Sequence, residues 1–390
     1  MLFTVAPAPY QPLFPMETDF AGAIRNHAKV PLAVQRVLLY SNMYFDMKFL
    51  IIMGVLSILW GCRSPHEILV IRETKPLITE DSVRLGNNCT MDMTLIDSSI
   101  ILFNHCSNHF FSIFDPSSLK PVCSFGTKGK GPNEFQYPMQ DRSLQSINDN
   151  TSLLIYDGNL LAKKELEIPA LLRDTVVYNF HSENLPKILF ANKDVNRLND
   201  TLYAGIPMSK YEGPFAILDI KNDKTVWSES DWGFTMPQRS EMLSYLITYG
   251  SLCANTKKQI IVRSYRNIDM IQLFGFDGRL VKNICLSKPE CPPFDPQKNC
   301  LEPEHNLYHL EMFATPERIY TLHYAHPYND IKNGTATPTI LAFDWDGNLT
   351  AAYDCPRPIQ QFCVDETNRK IYGISGTSEI EYNRLFRFSY

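Results

Sequence analysis

Two pairs of histidines carry the spacing that metal chemistry uses. His305 and His309 stand at i, i+4, which puts two imidazoles on one face of a helix, but Asn306 follows His305 where a metalloprotease needs a glutamate base. His323 and His326 lie close together where a strand-like run ends at Tyr324. Core or solvent-facing histidines are the expectation for both pairs. The loop Gly126-Thr127-Lys128-Gly129-Lys130-Gly131 offers backbone N–H groups and lysines to an anion. It lacks the Gly-Lys-Ser/Thr ending of a phosphate loop, so a structural crossover is expected instead. Asp344, Asp346 and Asn348 imitate a calcium loop, yet the glycine falls at the wrong offset and no glutamate closes it, which favours a hairpin turn. No Gly-x-Ser-x-Gly nucleophile elbow occurs. The most ligand-like stretch runs from Trp227 to Tyr249. There Trp227, Trp232, Arg239, Tyr245 and Tyr249 could stack on sugar rings or anchor a protein, and the competing reading places such aromatics in the wedge between packed sheets.

The residue whose chemistry is best supported is Cys62. Met47-Lys48, the apolar run Phe49 to Leu59 and then Trp60-Gly61-Cys62 follow the grammar of a signal peptide. The run falls short of the about 20 residues of a spanning helix. Leu59 and Gly61 resemble a lipobox, in which the thiol takes a diacylglyceryl group and becomes the new amino terminus; Trp60 departs from the small residue usual there. Residues 1–46 then read as a leader from a misplaced start, 47–61 as the lipoprotein signal, 62–76 as a lipidated tether and 77–390 as the folded body. A cytoplasmic extension before an uncleaved anchor is the alternative. The tether lacks an acidic cluster, which favours a periplasm-facing position in the cell envelope.

Composition narrows the partners. The 390 residues are 44% hydrophobic and 20% charged with a net charge of -5, and no run of five or six Lys or Arg occurs, so nucleic acid is not an expected partner. Ten cysteines less Cys62 leave an odd number, which excludes a complete disulfide framework. Cys291 and Cys300 bracket a Pro-rich loop and are the expected pair in an oxidising compartment. Cys253 and Cys363 read as small core residues.

These residues must be held by short strands. Ile340-Leu341-Ala342-Phe343-Asp344-Trp345-Asp346-Gly347 alternates and then turns at Asp-Gly, and Ile271-Gln272-Leu273-Phe274-Gly275-Phe276-Asp277-Gly278 repeats it. Asp-Gly between alternating runs signals a hairpin because its centre needs positive φ. A second repeated run, such as Arg318 to Leu322 and Lys370 to Ile374, accompanies them. Such repetition predicts an all-β body, best read as a six-bladed β-propeller with blades near 88–138, 139–176, 177–232, 240–290, 305–358 and 359–390. The last blade is a strand short, and Leu77 to Leu85 is expected to complete it and close the ring. Seven blades or a pair of β-sandwiches are the alternatives.

Phe125 to Phe135, with Gly129, Gly131, Pro132, Glu134 and Phe135, is similar to the Gly-x-Gly-x-Gly-Pro-x-Glu-Phe signature of TolB-like and NHL-like six-bladed propeller lipoproteins of Bacteroides-type bacteria. The resemblance spans Leu77 to Tyr390 and rests on this one specific motif. It implies a membrane-tethered propeller and no particular enzyme activity. The expected function is therefore a non-catalytic binding or scaffold module for an envelope protein, peptide or glycan, anchored in the lipid bilayer through Cys62. No cofactor is expected. The alternative is a metal-dependent propeller hydrolase or lyase, in which acids from several blades hold a divalent metal in the central channel.

Overall fold

Both Asp-Gly turns form as their chemistry requires, with Gly278 at φ +79° and Gly347 at φ +76°. Around the second, Asp344 accepts bonds from the backbone N–H groups of Asp346 and Asn348 and from the Asn348 side chain, so its carboxylate is committed to the turn. The calcium-like spacing is turn chemistry. The computed structural model describes residues 68–86, 89–144, 151–174, 180–208, 212–237, 241–295, 297–375 and 383–390. Cys62 and all residues before it lie outside the described residues.

Six antiparallel sheets follow one another along the chain. Blade 1 comprises Thr90–Ile96, Ser99–Asn104, His109–Phe114 and Pro121–Lys128, and blade 2 Pro138–Gln140, Ser152–Asp157, Ala162–Glu167 and His181–Asn184. Blade 3 comprises Asn192–Arg197, Leu202–Pro207, Ala216–Asp219 and Lys224–Trp227. Blade 4 is built from Gly250–Asn255, Ile260–Tyr265, Met270–Gly275 and Leu280–Cys285, and blade 5 from Asn306–Ala314, Arg318–Pro327, Thr339–Asp344 and Leu349–Asp354. Blade 6 takes Ile359–Asp365, Lys370–Ser375 and Arg384–Ser389 from the end of the chain and Ile78–Arg84 from its beginning, so the ring is closed by strand exchange.

One expected boundary moves. Residues 177–184 were assigned to the third blade, but His181–Asn184 pairs with Ala162–Glu167 and is the outer strand of blade 2. The helix Ile168–Arg173 stands between the paired strands and breaks the hairpin rhythm.

The apolar faces of neighbouring blades meet in separate clusters, one at each interface. Phe111, Phe125 and Phe135 meet Leu153 and Ile155 between blades 1 and 2. Tyr156 meets Tyr203 and Leu218 at the next interface, and Phe215 meets Phe274 at the third. Leu273 meets Phe343, Leu322 meets Phe362, and Cys363 meets Leu102 around the rest of the ring. A blade exposed alone would leave these faces in water, so the ring is the smallest unit that buries them. A seventh cluster lies under two insertions beside blade 4, with Trp232, Leu243, Ile247, Tyr265 and Ile268.

The disulfide is not the expected one. Cys89 and Cys106 are joined, clamping the ends of the first hairpin of blade 1, while Cys291 and Cys300 are separate thiols on either side of a small hairpin. Cys253 and Cys363 are buried core residues as expected. Burial pushes the Cys253 thiol up to about 12, which leaves it inert near neutral pH. The Cys89–Cys106 bridge spans a sequence separation of 17. Closing a loop of that size restrains the unfolded chain by about 3 kcal/mol. Reduction should lower the urea-unfolding free energy by about that amount, and C89S/C106S should be insensitive to reductant.

Candidate functional site

The inner strand of each blade faces the axis of the ring, so chemistry at the centre is set by single residues on strands far apart in sequence. After the inner strand of blade 2, the chain does not turn back at once. Gln140 still pairs within blade 2, whereas Ser143 and Leu144 pair in parallel with Ala254 and Asn255 of blade 4. Thr256 fastens the far end by donating from its backbone N–H and its hydroxyl to the Leu144 carbonyl. The segment therefore crosses the axial channel and carries Arg142 into it.

Arg142 is the hub of the channel. Its Nη2 donates to Asp92 Oδ2 of blade 1 at 2.8 Å, and its Nη1 donates to Glu311 Oε1 of blade 5 at 2.5 Å. Glu311 Oε1 also accepts from Ser251 Oγ at 3.1 Å and from the Met312 N–H at 2.9 Å. Asp194 of blade 3 stands nearby, its Oδ2 accepting from the Leu252 N–H at 3.1 Å. A register shift between Lys193 and Asn196 and a left-handed backbone at Asp194, φ +48°, turn its side chain inward. Burial disfavours charge throughout this group. It raises the Asp92 carboxyl above its ordinary range. For Glu311 burial acts the same way, but the charge and hydrogen bonds of Arg142 outweigh it and hold the carboxyl low. Arg142 is largely screened from water as well, yet the charges of Asp92, Glu311 and Asp194 hold its proton more tightly than usual.

Next to this hub is a cavity of about 620 Å³ to which every blade contributes, including Asp92, Glu165, Arg197, Cys253, Glu311 and Asp365. Its walls come from the later parts of the inner strands and from Ser152–Leu154 of blade 2. The crossing segment forms part of the lining through Gln140 to Arg142 and Leu144.

The residues singled out by sequence are distributed elsewhere. The Gly129 to Phe135 motif is the crossover from blade 1 to blade 2, and its anion is its own. Glu134 Oε2 accepts from the Gly131 N–H at 2.6 Å, and a Cβ on Gly129 would come within 2.0 Å of that carboxylate. Phe135 is fully buried among Phe110, Phe111 and Phe180. Lys164 of blade 2, only 2% exposed, donates to the carbonyls of Gly131, Pro132 and Glu134 at 3.3, 2.9 and 2.5 Å. Replacing Lys164 with Met should cost about 1.5–3 kcal/mol because the loop carbonyls lose a charged donor, and urea unfolding of K164M checks it.

The aromatic stretch is only partly available. Trp232 is 8% exposed and packs edge-to-face on Tyr265, so it serves the core and not a sugar ring. Trp227 packs against the cluster between blades 2 and 3. Tyr245 and Tyr249 pair edge-to-face, with the Lys193 ammonium 4.2 Å from the centre of the Tyr249 ring. Arg239 lies outside the described residues. The histidine pairs do not act as pairs: His305 Nε2 faces Asn267 Oδ1 at 2.8 Å and His326 is exposed, while His309 and His323 are partners across two strands of blade 5. Sequence reasoning missed Arg142, Asp92, Asp194 and Glu311 altogether. They belong to different blades, and no local spacing links them.

The chain matches the TolB-like 6-blade propeller-like family over residues 87–367. Among solved structures, that of a member of the DUF4221 family from Bacteroides vulgatus is similar in fold, with a TM-score of 0.52 at 10% sequence identity, covering 80% of this chain and 97% of that one. No curated protein sequence matches the chain.

Proposed function

The chain belongs to the TolB-like six-bladed propeller family, and from that membership we propose that it is a non-catalytic binding or scaffold propeller of the cell envelope, held to a membrane by a lipid on Cys62 and facing the periplasm. The observation that carries the binding role is the stoppered channel. The crossing segment places Arg142 on the axis beside a cavity of about 620 Å³ that is framed by all the blades and lined by polar and apolar side chains alike. A cavity of that size takes a ligand of small-molecule dimensions, such as a side chain or chain end projecting from a protein or peptide. Residues of both signs, including Lys163, Glu165 and Arg197, line it beside apolar ones such as Leu95, Leu153 and Phe362, so a segment that carries both charged and apolar side chains fits it. The Cys89–Cys106 disulfide supports an oxidising compartment. Among the described residues no helix is long and apolar enough to cross a membrane.

The hydrolase or lyase alternative needs unclaimed acids on the axis to hold a divalent metal. Here Asp92 and Glu311 are bonded to a guanidinium that occupies the place between them. Those residues do not fit an axial metal.

A photo-crosslinking amino acid at Glu165 or Thr367, both on the cavity wall, tests the binding role in cells. A discrete adduct from these positions, absent from Lys221 on the far edge of blade 3, is the expected result. Equal labelling from all three would sink the assignment. For the anchor, radiolabelled palmitate should enter the protein and not its Cys62→Ser variant.

A further inference from the structure

Away from the channel, at the junction of blades 4 and 5, Asp269, His309 and His323 each turn one ligand atom toward a common point, with all these atoms within 4.8 Å of one another. Asp269 immediately precedes the strand Met270–Gly275 of blade 4. His309 and His323 are register partners on the first two strands of blade 5, so the sheet brings together one histidine from each of the two sequence pairs. His323 Nε2 lies 3.1 Å from Asp269 Oδ1, and His309 Nε2 lies 3.4 Å from the same oxygen. In a tetrahedral zinc site with bonds of about 2.0–2.1 Å, ligand atoms stand about 3.3–3.4 Å apart. Both distances to the carboxylate oxygen are close to that spacing, and the two histidine nitrogens lie within 4.8 Å of each other, so an ion could join the three atoms by drawing the imidazoles together.

A second observation points to a ligand. His309 is 0% exposed, and its Nε2 has no well-formed hydrogen bond, only the Asp269 carboxylate oxygen at 3.4 Å. A buried ring nitrogen held by so long a contact gains from a ligand that binds it closely. The surrounding contacts orient two of the three groups as metal ligands are usually oriented. His309 Nδ1 faces Thr321 Oγ1 at 3.2 Å, which leaves Nε2 directed inward. Ser287 Oγ donates to Asp269 Oδ2 at 2.7 Å, which leaves Oδ1 for the shared point.

We propose that Asp269 Oδ1, His309 Nε2 and His323 Nε2 bind a divalent transition-metal ion of the zinc type, with a fourth position open to water. Two imidazoles and one carboxylate suit zinc and its neighbours, whereas calcium and magnesium take oxygen ligands. Binding replaces the present His323 Nε2 to Asp269 hydrogen bond, and the neutral His323 ring then carries its proton on Nδ1. The ion joins a residue of blade 4 to two of blade 5, so it acts as a staple across one blade interface, independent of whatever the axial cavity captures.

The test uses the full chain purified in detergent, stripped with a chelator and titrated with zinc against a chromogenic competitor, then with cobalt followed by visible absorption. One equivalent of zinc, a cobalt band of tetrahedral intensity and a raised unfolding temperature are expected. D269N and H323Q should lose all of these, S287A should bind zinc about 10–100-fold more weakly, and H326Q, altered at an exposed neighbour, should bind as the parent does. The parent chain failing to retain zinc or to develop the cobalt band overturns the proposal. So does binding that survives undiminished in D269N and H323Q. Far-ultraviolet circular dichroism of each variant separates lost ligation from lost folding.

Discussion

Arg142→Met should destabilise the propeller by about 3–5 kcal/mol, measured by urea unfolding near neutral pH, because it leaves the buried Glu311 and the half-buried Asp92 without their cation. The side chains of Arg142, Asp92 and Glu311 are 13%, 21% and 10% exposed, so water can replace little of what the guanidinium provides. The same change also removes the pairing that holds the crossing segment in the channel. Deleting one partner of a buried pair exposes the full desolvation cost of the other, whereas replacing the whole group with apolar residues of similar volume can be nearly neutral. The triple variant D92N/R142M/E311Q should therefore be more stable than R142M alone. If R142M loses less than about 1 kcal/mol, the hub behaves as a surface ion pair and the stopper has been misread.

The deficit also has a pH signature. Without Arg142, both buried carboxyls are raised above their unfolded values, so folding takes up protons. A carboxyl with a raised folded pKa contributes stability that is fully present below its unfolded pKa and lost as pH rises through the folded one. R142M should accordingly approach the parent at about pH 4 and fall furthest behind at about pH 8. In the parent protein the two acids act with opposite sign. Glu311, held low, contributes stability above its unfolded pKa that disappears as pH falls through its folded value, whereas Asp92, held high, is penalised as pH rises.

The contrast between ring and hub shows what a sequence can disclose. Hairpins such as that at Asp277-Gly278 were legible because periodicity and turn chemistry are local, within reach of a ten-residue window. The motif from Gly129 to Phe135 was legible as a crossover for the same reason: its glycines, Glu134 and Phe135 answer to one another inside the loop. The outer strand of blade 2 was not. His181-Ser182-Glu183-Asn184 is exposed at every position, so it has no apolar alternation to announce it. Cys89 and Cys106 were not legible as a pair, because they meet only through the register of the hairpin between them, which pairs Thr90 with Asn104. The partners of Arg142 lie 50 and 169 residues away, and Ser143 pairs with a strand of blade 4. That geometry exists only after the ring has closed. His309 and His323 show the intermediate case, since both were visible as residues with metal-like spacing but were grouped with the wrong neighbours.

Closure itself yields the other large effect. Deleting residues 77–86 from the full chain should abolish cooperative unfolding, because this segment is the outer strand of the blade that otherwise ends the chain. Its strand Ile78–Arg84 pairs with Arg384–Ser389 along its length, with one register shift between Thr79 and Asp81. The flanking Leu77 and Leu85 are 4% and 6% exposed and enter the clusters on the two sides of blade 6. Burying a leucine contributes about 1.5–3 kcal/mol, so the pair accounts for about 3–6 kcal/mol of a total that is typically about 5–15. The deletion also bares the edge of Arg384–Ser389, a template for pairing between molecules, and aggregation should accompany the loss. The ion pairs of Glu80 with Lys370 and Arg387 decorate this junction but lie near the surface, and E80A should cost less than about 1 kcal/mol. A synthetic peptide of residues 77–86 supplied in excess should restore a cooperative transition by adding its strand to the open edge. Rescue by the peptide but not by a shuffled peptide of the same composition identifies strand pairing as the cause. A deletion variant that still unfolds in one transition would mean that blade 6 holds the ring with three strands and that closure does not depend on the exchanged one.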